Sequence, residues 1–310
     1  MTADRRSWQT SDVDERAVPD DFDDFWQSLA ARAREVEVRP SRTPVDGGIE
    51  LIEYTSLDGV RLGGWLTLPP GDIRSAVIVG HGYGGRAEPE PWWAPADAAV
   101  LYPVSRGLPT LSLVDGIPSD GAEHVLHGIR SRETYVHGGC AADVWCAITA
   151  LEELLDARLG EQHGGLRLGY FGPSFGGGIG AMALPWDDRI DAASLHVPSF
   201  GAHARRLAVP NEGSSAAVGA WVREHPEAWD VLDYFDAATA ATRIRVPTIV
   251  AAAREDPSVP PVGQFAVADA VPEQHRRVMV MTAGHREYPE EQAEMAAYAA
   301  ATRELFAAVG

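Results

Sequence analysis

Gly172-Pro173-Ser174-Phe175-Gly176, with Gly177 and Gly178 directly after it, follows an apolar run at 166–171 and precedes a helix-like run at 179–184. A Gly-x-Ser-x-Gly set between a strand and a helix reads as a sharp turn that lifts a nucleophilic serine above a sheet. The reason is steric. The serine adopts a strained conformation, and flanking glycines, having no Cβ, let neighbouring backbone come close. The same residues also read as a plain glycine-rich turn with an incidental serine, so the pattern needs support from the chain on both sides.

Apolar segments of strand length recur at 76–80, 110–115, 166–171, 192–197, 246–252 and 277–281. Helical stretches separate several of them. The clearest are 141–159, with Val144, Trp145, Ile148, Leu151, Leu154 and Leu155 on one face, and 289–309 at the C-terminus. Such alternation predicts a mostly parallel sheet with helices on both faces. Earlier in the chain, 49–56 and 60–68 flank Leu57-Asp58-Gly59, and Asp-Gly marks an antiparallel hairpin. Residues 20–36 place Phe22, Phe25, Trp26 and Leu29 at helical spacing, with Asp20 or Asp21 as the cap. An antiparallel N-terminal hairpin feeding a mostly parallel central sheet is the α/β-hydrolase fold. The reading is one domain over 1–310, with an N-terminal helical extension at about 15–40 and a polar, mixed segment at 201–230 as a cap over the site.

A serine hydroxyl is a weak nucleophile and needs a base that an acid orients. In this fold the chain order is serine, acid, histidine, with the last two after later strands. The segment 246–252 runs into Arg254-Glu255-Asp256-Pro257, and 277–281 runs into Thr282-Ala283-Gly284-His285. Ser174, Asp256 and His285 are therefore the candidate triad, with Glu255 as the rival acid. An oxyanion hole takes one backbone N–H from the residue after the serine, Phe175. The other is assigned to Tyr83, in Gly80-His81-Gly82-Tyr83-Gly84-Gly85 after an early strand. His81 is expected to support that loop, and His196 to be structural.

The chain has 310 residues, 45% hydrophobic, which is ample for a buried core. Its net charge is −19, and all 26 basic residues are arginine. A negative surface argues against nucleic acid and anionic membranes, because phosphate binding needs clustered positive charge. The apolar runs are too short to span a bilayer, and the polar N-terminus lacks a secretory core, so a cytoplasmic location is expected. Cys140 and Cys146 lie six residues apart on one helix, roughly 9 Å along its axis, too far for a disulfide. His124 and His127 have no third ligand nearby, so neither a metal nor a cofactor is expected.

The motifs resemble one family in particular, the acetyl xylan esterases and cephalosporin C deacetylases (the seventh carbohydrate-esterase family). Asp21-Phe22-Asp23-Asp24-Phe25-Trp26 is similar to its N-terminal helix, and His81-Gly82-Tyr83-Gly84-Gly85 to its oxyanion loop. Glu133-Thr134-Tyr135 and Tyr234-Phe235-Asp236 match as well. Asp256-Pro257-Ser258-Val259-Pro260-Pro261 resembles the acid loop, with prolines four and five residues after the aspartate, which supports Asp256 over Glu255. The chain also departs from the family. Arg-Gly-Gln is expected after the strand taken to match 110–115, where this chain has Asp115-Gly116-Ile117-Pro118-Ser119-Asp120. Phe175 replaces a glutamine after the serine, and Arg286 stands where a glutamate follows the histidine.

The resemblance implies a serine carboxylesterase that removes acetyl groups from small O-acetylated molecules, and a possible homo-oligomer, hexameric in the family. The departures leave open a thioesterase, lactonase, cyclase or acyltransferase using the same triad. A noncatalytic binding protein on a hydrolase fold is the reading from another class.

Overall fold

The computed structural model describes residue 13 and residues 16–160 and 166–308. The polar N-terminal stretch 1–12 and the last residue of the expected C-terminal helix, Val309, lie outside the described residues.

The chain enters through α1 (Phe22–Arg34), then forms β1 (Ser41–Asp46), β2 (Ile49–Thr55), β3 (Arg61–Thr67), β4 (Ser75–Val79) and β5 (Ala98–Pro103). After α2 (Gly121–His124) and the long α3 (Val136–Leu159) come β6 (Arg167–Pro173), α4 (Phe175–Ala183) and β7 (Ala192–His196). A run of short helices follows: α5 (His203–Leu207), α6 (Gly213–Glu224), α7 (Trp229–Leu232) and α8 (Ala237–Ala241). Then β8 (Thr248–Glu255), α9 (Pro261–Ala270), β9 (Arg276–Ala283) and α10 (Glu291–Ala308) complete the fold.

The strands make a nine-stranded sheet in the order β1-β2-β3-β5-β4-β6-β7-β8-β9. The pairs β1–β2, β2–β3 and β3–β5 are antiparallel, and from β5 to β9 every pair is parallel. The chain leaves β4 toward β5 on one side and returns to β6 on the other. That reversal is where open α/β sheets hold their ligands, beyond the strand C-termini. The loops after β4 and β6 meet there. β4 and β5 are buried along their whole length, whereas every residue of β1 is exposed. Proline and charge on β1 (Ser-Arg-Thr-Pro-Val-Asp) suit an edge that must not pair further.

The hairpin between β2 and β3 turns at Asp58 (φ 62°) and Gly59 (φ 77°), the left-handed pair that Asp-Gly favours. Asp21 occupies the N-cap position of α1, but its side chain does not cap the helix. Its carboxylate takes the Arg132 guanidinium at 2.8 Å and the Tyr234 hydroxyl instead. Beside it, Phe22, Phe25 and Trp26 pack on Tyr234 and Phe235, with Phe25 and Tyr234 ring centres 5.1 Å apart. Tyr135 joins them, 4.9 Å from Phe235. Three motifs far apart in sequence thus form one aromatic knot that docks α1 on α3. Both cysteines lie buried and unpaired on α3. No helix among the described residues is long and apolar enough to cross a membrane.

The structure corrects two expectations. Residues 110–115 form no strand, and the strand that precedes the site is Ala98–Pro103. The alternating leucines at 111 and 113 do not face one core, since Leu113 is 63% exposed. Between them Ser112 turns inward, accepting from Gly63 N at 3.0 Å and donating to Val104 O at 2.7 Å. With the strand at Ala98–Pro103, the following residues read Val104-Ser105-Arg106-Gly107-Leu108, so the Arg-Gly pair is present and only the glutamine is replaced. β1 was not expected at all, because an exposed polar strand has no apolar alternation to reveal it.

Arg106 is buried and meets Asp143 on α3, with Nη2 2.7 Å from Oδ1 and the Arg106 backbone N 2.9 Å from Oδ2. Ser56 donates to the same carboxylate at 2.6 Å. Gly139 is required beside the pair, since a Cβ there would stand 2.6 Å from the guanidinium. Removing one partner of a buried ion pair strands the other charge and costs about 3–5 kcal/mol. Asp143→Ala should lower stability by that amount in urea denaturation, and Arg106→Met/Asp143→Leu should recover most of it. A single-variant cost below about 1 kcal/mol would contradict the account.

Candidate active site

The turn from β6 into α4 holds Ser174 at φ 51° and ψ −112°, a conformation that side chains other than glycine rarely adopt. Backbone bonds fix it from both sides. Ser174 N donates to His196 O at 2.8 Å, while Gly178 N and Ser199 N donate to Ser174 O at 3.0 and 3.1 Å. A Cβ at Gly178 would fall 2.4 Å from Ser199 O, so glycine is obligatory there.

His285 follows β9, also at positive φ (50°), and its ring reaches across the C-terminal end of the sheet. Nε2 lies 2.9 Å from Ser174 Oγ, and Nδ1 lies 2.8 Å from Asp256 Oδ2. A carboxylate can only accept here, so Nδ1 carries the proton and Nε2 is left to accept from the serine hydroxyl. The Asp256 carboxylate is fully buried while the imidazole is 27% exposed. Oδ1 of Asp256 accepts from Ser258 N and Val259 N, both at 2.9 Å. Gly284 lets the acid come this close, because a Cβ there would stand 2.4 Å from Oδ2. Glu255 points elsewhere and pairs with the exposed Arg286. The structure therefore brings Ser174, His285 and Asp256 into one hydrogen-bonded chain and leaves Glu255 out of it.

Tyr83 and Phe175 also meet, with ring centres 4.4 Å apart. Among the described residues no protein hydrogen bond takes up the backbone N–H of either residue. Their loop is rigidly held. His81 donates from Nδ1 to Gly82 O at 2.7 Å, and its Nε2 accepts from Ser105 N at 3.0 Å. Arg86 donates to the carbonyls of Val79 and Gly80, each at 2.9 Å. His124 donates through Nε2 to Arg106 O at 2.9 Å, and His196 stacks on Tyr298 at 5.2 Å.

Sequence reasoning missed Gln264. Its Nε2 donates to Asp256 Oδ2 at 2.8 Å and to Val259 O at 2.7 Å, and its Oε1 accepts from Ala253 N at 2.8 Å. The available signal was a glutamine one turn before Val267 and Ala268 on the buried face of α9. It also missed Phe200, whose ring stands 6.1 Å from Phe175. Phe200 follows β7 in a strained segment in which Val197, Phe200 and Ala202 all have positive φ. The expected cap segment, 201–230, forms α5, α6 and the start of α7, with α6 packed on α2.

A family model described as acetyl xylan esterase matches residues 11–302. Among solved structures, an acetyl xylan esterase from Paenibacillus sp. R4 is 24% identical, with a TM-score of 0.77 over 93% of this chain and 96% of that one. Acetyl xylan esterase 1 from Thermoanaerobacterium sp. JW/SL YS485 is 17% identical, with a TM-score of 0.76 over 97% and 99%. An esterase from Pyrococcus furiosus is 14% identical, with a TM-score of 0.56 over 89% and 95%. At these identities the structural likenesses carry the fold.

Burial holds the His81 ring neutral, its pKa lowered to about 4 from 6.5. Between those values the unfolded chain binds the proton and the folded chain does not, so stability rises with pH across the window and is lost as pH falls. The full contribution is about 3 kcal/mol per such group. Urea midpoints should therefore fall steadily from pH 6.5 toward pH 4, with the His81 ring remaining unprotonated above about pH 5 by NMR. A ring that titrates near 6.5 would refute the assignment.

Proposed function

The chain belongs to the acetyl xylan esterase family and is a serine hydrolase of carboxylic esters, and on that premise we propose that Ser174, His285 and Asp256 remove acetyl groups from small O-acetylated molecules. The observation that carries the reading is the unbroken hydrogen-bond chain from Ser174 Oγ through His285 to Asp256. Ser174 Oγ attacks the ester carbonyl as its proton passes to His285 Nε2. Asp256 holds the imidazole tautomer and stabilises the cation that forms. The negative oxygen settles on the Phe175 and Tyr83 amides. The tetrahedral species collapses, and the alcohol leaves with the proton from His285. Water, deprotonated by the same nitrogen, then attacks the acyl-serine and releases acetic acid and free enzyme.

Gln264 is a positioning residue in this scheme, acting through Asp256. The rings of Phe175, Tyr83 and Phe200 pack together beside Ser174, where the family resemblance leads one to expect a glutamine after the serine. Aromatic rings in place of that polar residue favour a second reading, in which the same triad cleaves bulkier acyl donors, thioesters among them.

Hydrolysis of 4-nitrophenyl esters from acetate to octanoate separates the two. Activity concentrated on acetate supports the deacetylase, whereas preference for longer chains supports the second reading. Ser174→Ala should lower kcat by about 10⁵–10⁶ and Asp256→Asn by about 10⁴. Retained turnover in Ser174→Ala would sink both readings. Gln264→Leu removes one bond to the acid and should lower kcat on the order of tenfold while KM stays near its original value.

A further inference from the structure

Behind the rings of Tyr83 and Phe175 lies a second set of polar side chains that the hydrolytic relay does not use. Its centre is Arg206 on α5, only 3% exposed. Arg206 Nε donates to His203 Nδ1 at 2.9 Å, and Nη1 donates to Ser215 Oγ at 2.5 Å. His203 donates its own ring proton from Nε2 to Phe235 O at 3.0 Å, and burial holds its pKa well below the usual value. It therefore meets Arg206 as a neutral acceptor. Both partners of the guanidinium are uncharged.

No carboxylate answers that charge among the described residues. Asp236 reaches Arg206 only through its field, and its oxygens accept from the backbone of His203, Ala238 and Thr239. Burial lowers the Arg206 pKa to about 10, which still leaves the group charged at neutral pH. An uncompensated buried ion costs several kcal/mol, so the arrangement is completed by an anion or sustained at a loss.

Three buried atoms of this cluster find no hydrogen-bond partner in the protein: Arg206 Nη2, Tyr135 Oη and His137 Nδ1. The rings tie them together. Tyr135 and His137 are 4.5 Å apart, His137 and Phe200 4.3 Å, and the guanidinium lies 5.8 Å over Phe200. Tyr83 Oη is 3.2 Å from His137 Nε2. Tyr83 Oη also lies 3.4 Å from His124 Nδ1, an acceptor because His124 donates through Nε2, so two imidazoles compete for the one Tyr83 proton. Arg206 Nη2 and Tyr135 Oη are donors in either arrangement. Tyr135 and His137 also open α3, a 24-residue helix with no side-chain cap, whose positive end favours an anion. Phe200 stands 6.2 Å from Tyr83 and 6.1 Å from Phe175, so one aromatic ring separates this cluster from the proposed oxyanion donors.

We propose that the ester substrates of this chain carry a carboxylate, which Arg206 and Tyr135 receive while the ester carbonyl lies over Ser174. The inference rests on the hydrolytic reading of Ser174 and names the substrate class for that site. The substrate supplies the missing counter-charge, and the chemistry of the acyl transfer is unchanged.

Two pairs of esters test it and distinguish where the carboxylate sits. 4-Nitrophenyl hemiglutarate against 4-nitrophenyl hexanoate places it on the acyl side. 4-Acetoxybenzoate against 4-methylphenyl acetate places it on the departing alcohol. For each pair the charged-to-neutral ratio of kcat/KM is compared between wild type and Arg206→Gln, so that intrinsic reactivity cancels. In one pair the ratio should fall by about tenfold or more in Arg206→Gln, as expected for a lost charge-assisted bond, with Arg206→Lys in between. Ratios that do not move in either pair, or both members slowed equally, overturn the proposal. Should Arg206→Gln fail to fold, Tyr135→Phe is read the same way, with a smaller fall expected and an unchanged ratio again decisive against it. Ser174→Ala separates the two levels. Turnover that survives it refutes the hydrolytic reading, whereas serine-dependent turnover with unmoved ratios refutes only the carboxylate site.

Discussion

The active site rests on a contact between two loops that only glycine permits. Gly176 N donates to His81 O at 2.8 Å, and a Cβ at 176 would lie 2.8 Å from His81 N. Through this approach the turn carrying Ser174 and the loop carrying Tyr83 become one rigid unit above β4 and β6. Tyr170 closes the contact from below, its hydroxyl donating to Gly176 O at 2.7 Å. Every distance that matters to an oxyanion is inherited from that junction, because both candidate donors are backbone amides with no side-chain freedom of their own.

Buried arginine is the second organising theme, and each case is compensated differently. Arg106 has a carboxylate, Asp143. Arg86 has the carbonyls at the end of β4. Arg206 has a neutral imidazole and a hydroxyl. A planar guanidinium can satisfy several acceptors at once while remaining charged, which a lysine ammonium does less well. The first two tie loops to the sheet. The third leaves Nη2 without a partner next to the reacting centre, and that difference separates a structural arginine from one suited to a ligand.

The aromatic knot around Phe25, Trp26, Tyr135, Tyr234 and Phe235 links these themes. It anchors α1 on the sheet assembly and, through Tyr135, ends beside the Arg206 cluster. Asp236, at the edge of the knot, caps α8 and takes His203 N, which fixes α5 and with it the guanidinium. The N-terminal helix thereby belongs to the support of the site, although it contributes no reacting group.

Local sequence was enough for the frame and for the candidate triad that the structure brings into one hydrogen-bonded chain. A strand, a Gly-x-Ser-x-Gly turn and a helix impose their geometry on the residues within them, and the serine–acid–histidine order follows from how the chain threads a parallel sheet. The Asp-Gly hairpin and the His81-Gly82-Tyr83 loop were legible for the same reason, each being fixed by its own backbone. The edge strand β1 was hidden because it buries nothing, and 110–115 misled because its leucines alternate without sharing a core. Gln264, Phe200, Arg206 and His137 gained their meaning only in three dimensions. Each is an ordinary residue in its own element, and its significance comes from a neighbour tens of positions away that burial brings within reach. What the sequence by itself determined was therefore the chemistry that one turn and three loops can carry. What holds the acid in place, and where a buried guanidinium is left with an unpartnered nitrogen beside the site, were decided by tertiary packing, because hydrogen bonding and desolvation act between side chains that the chain order leaves apart.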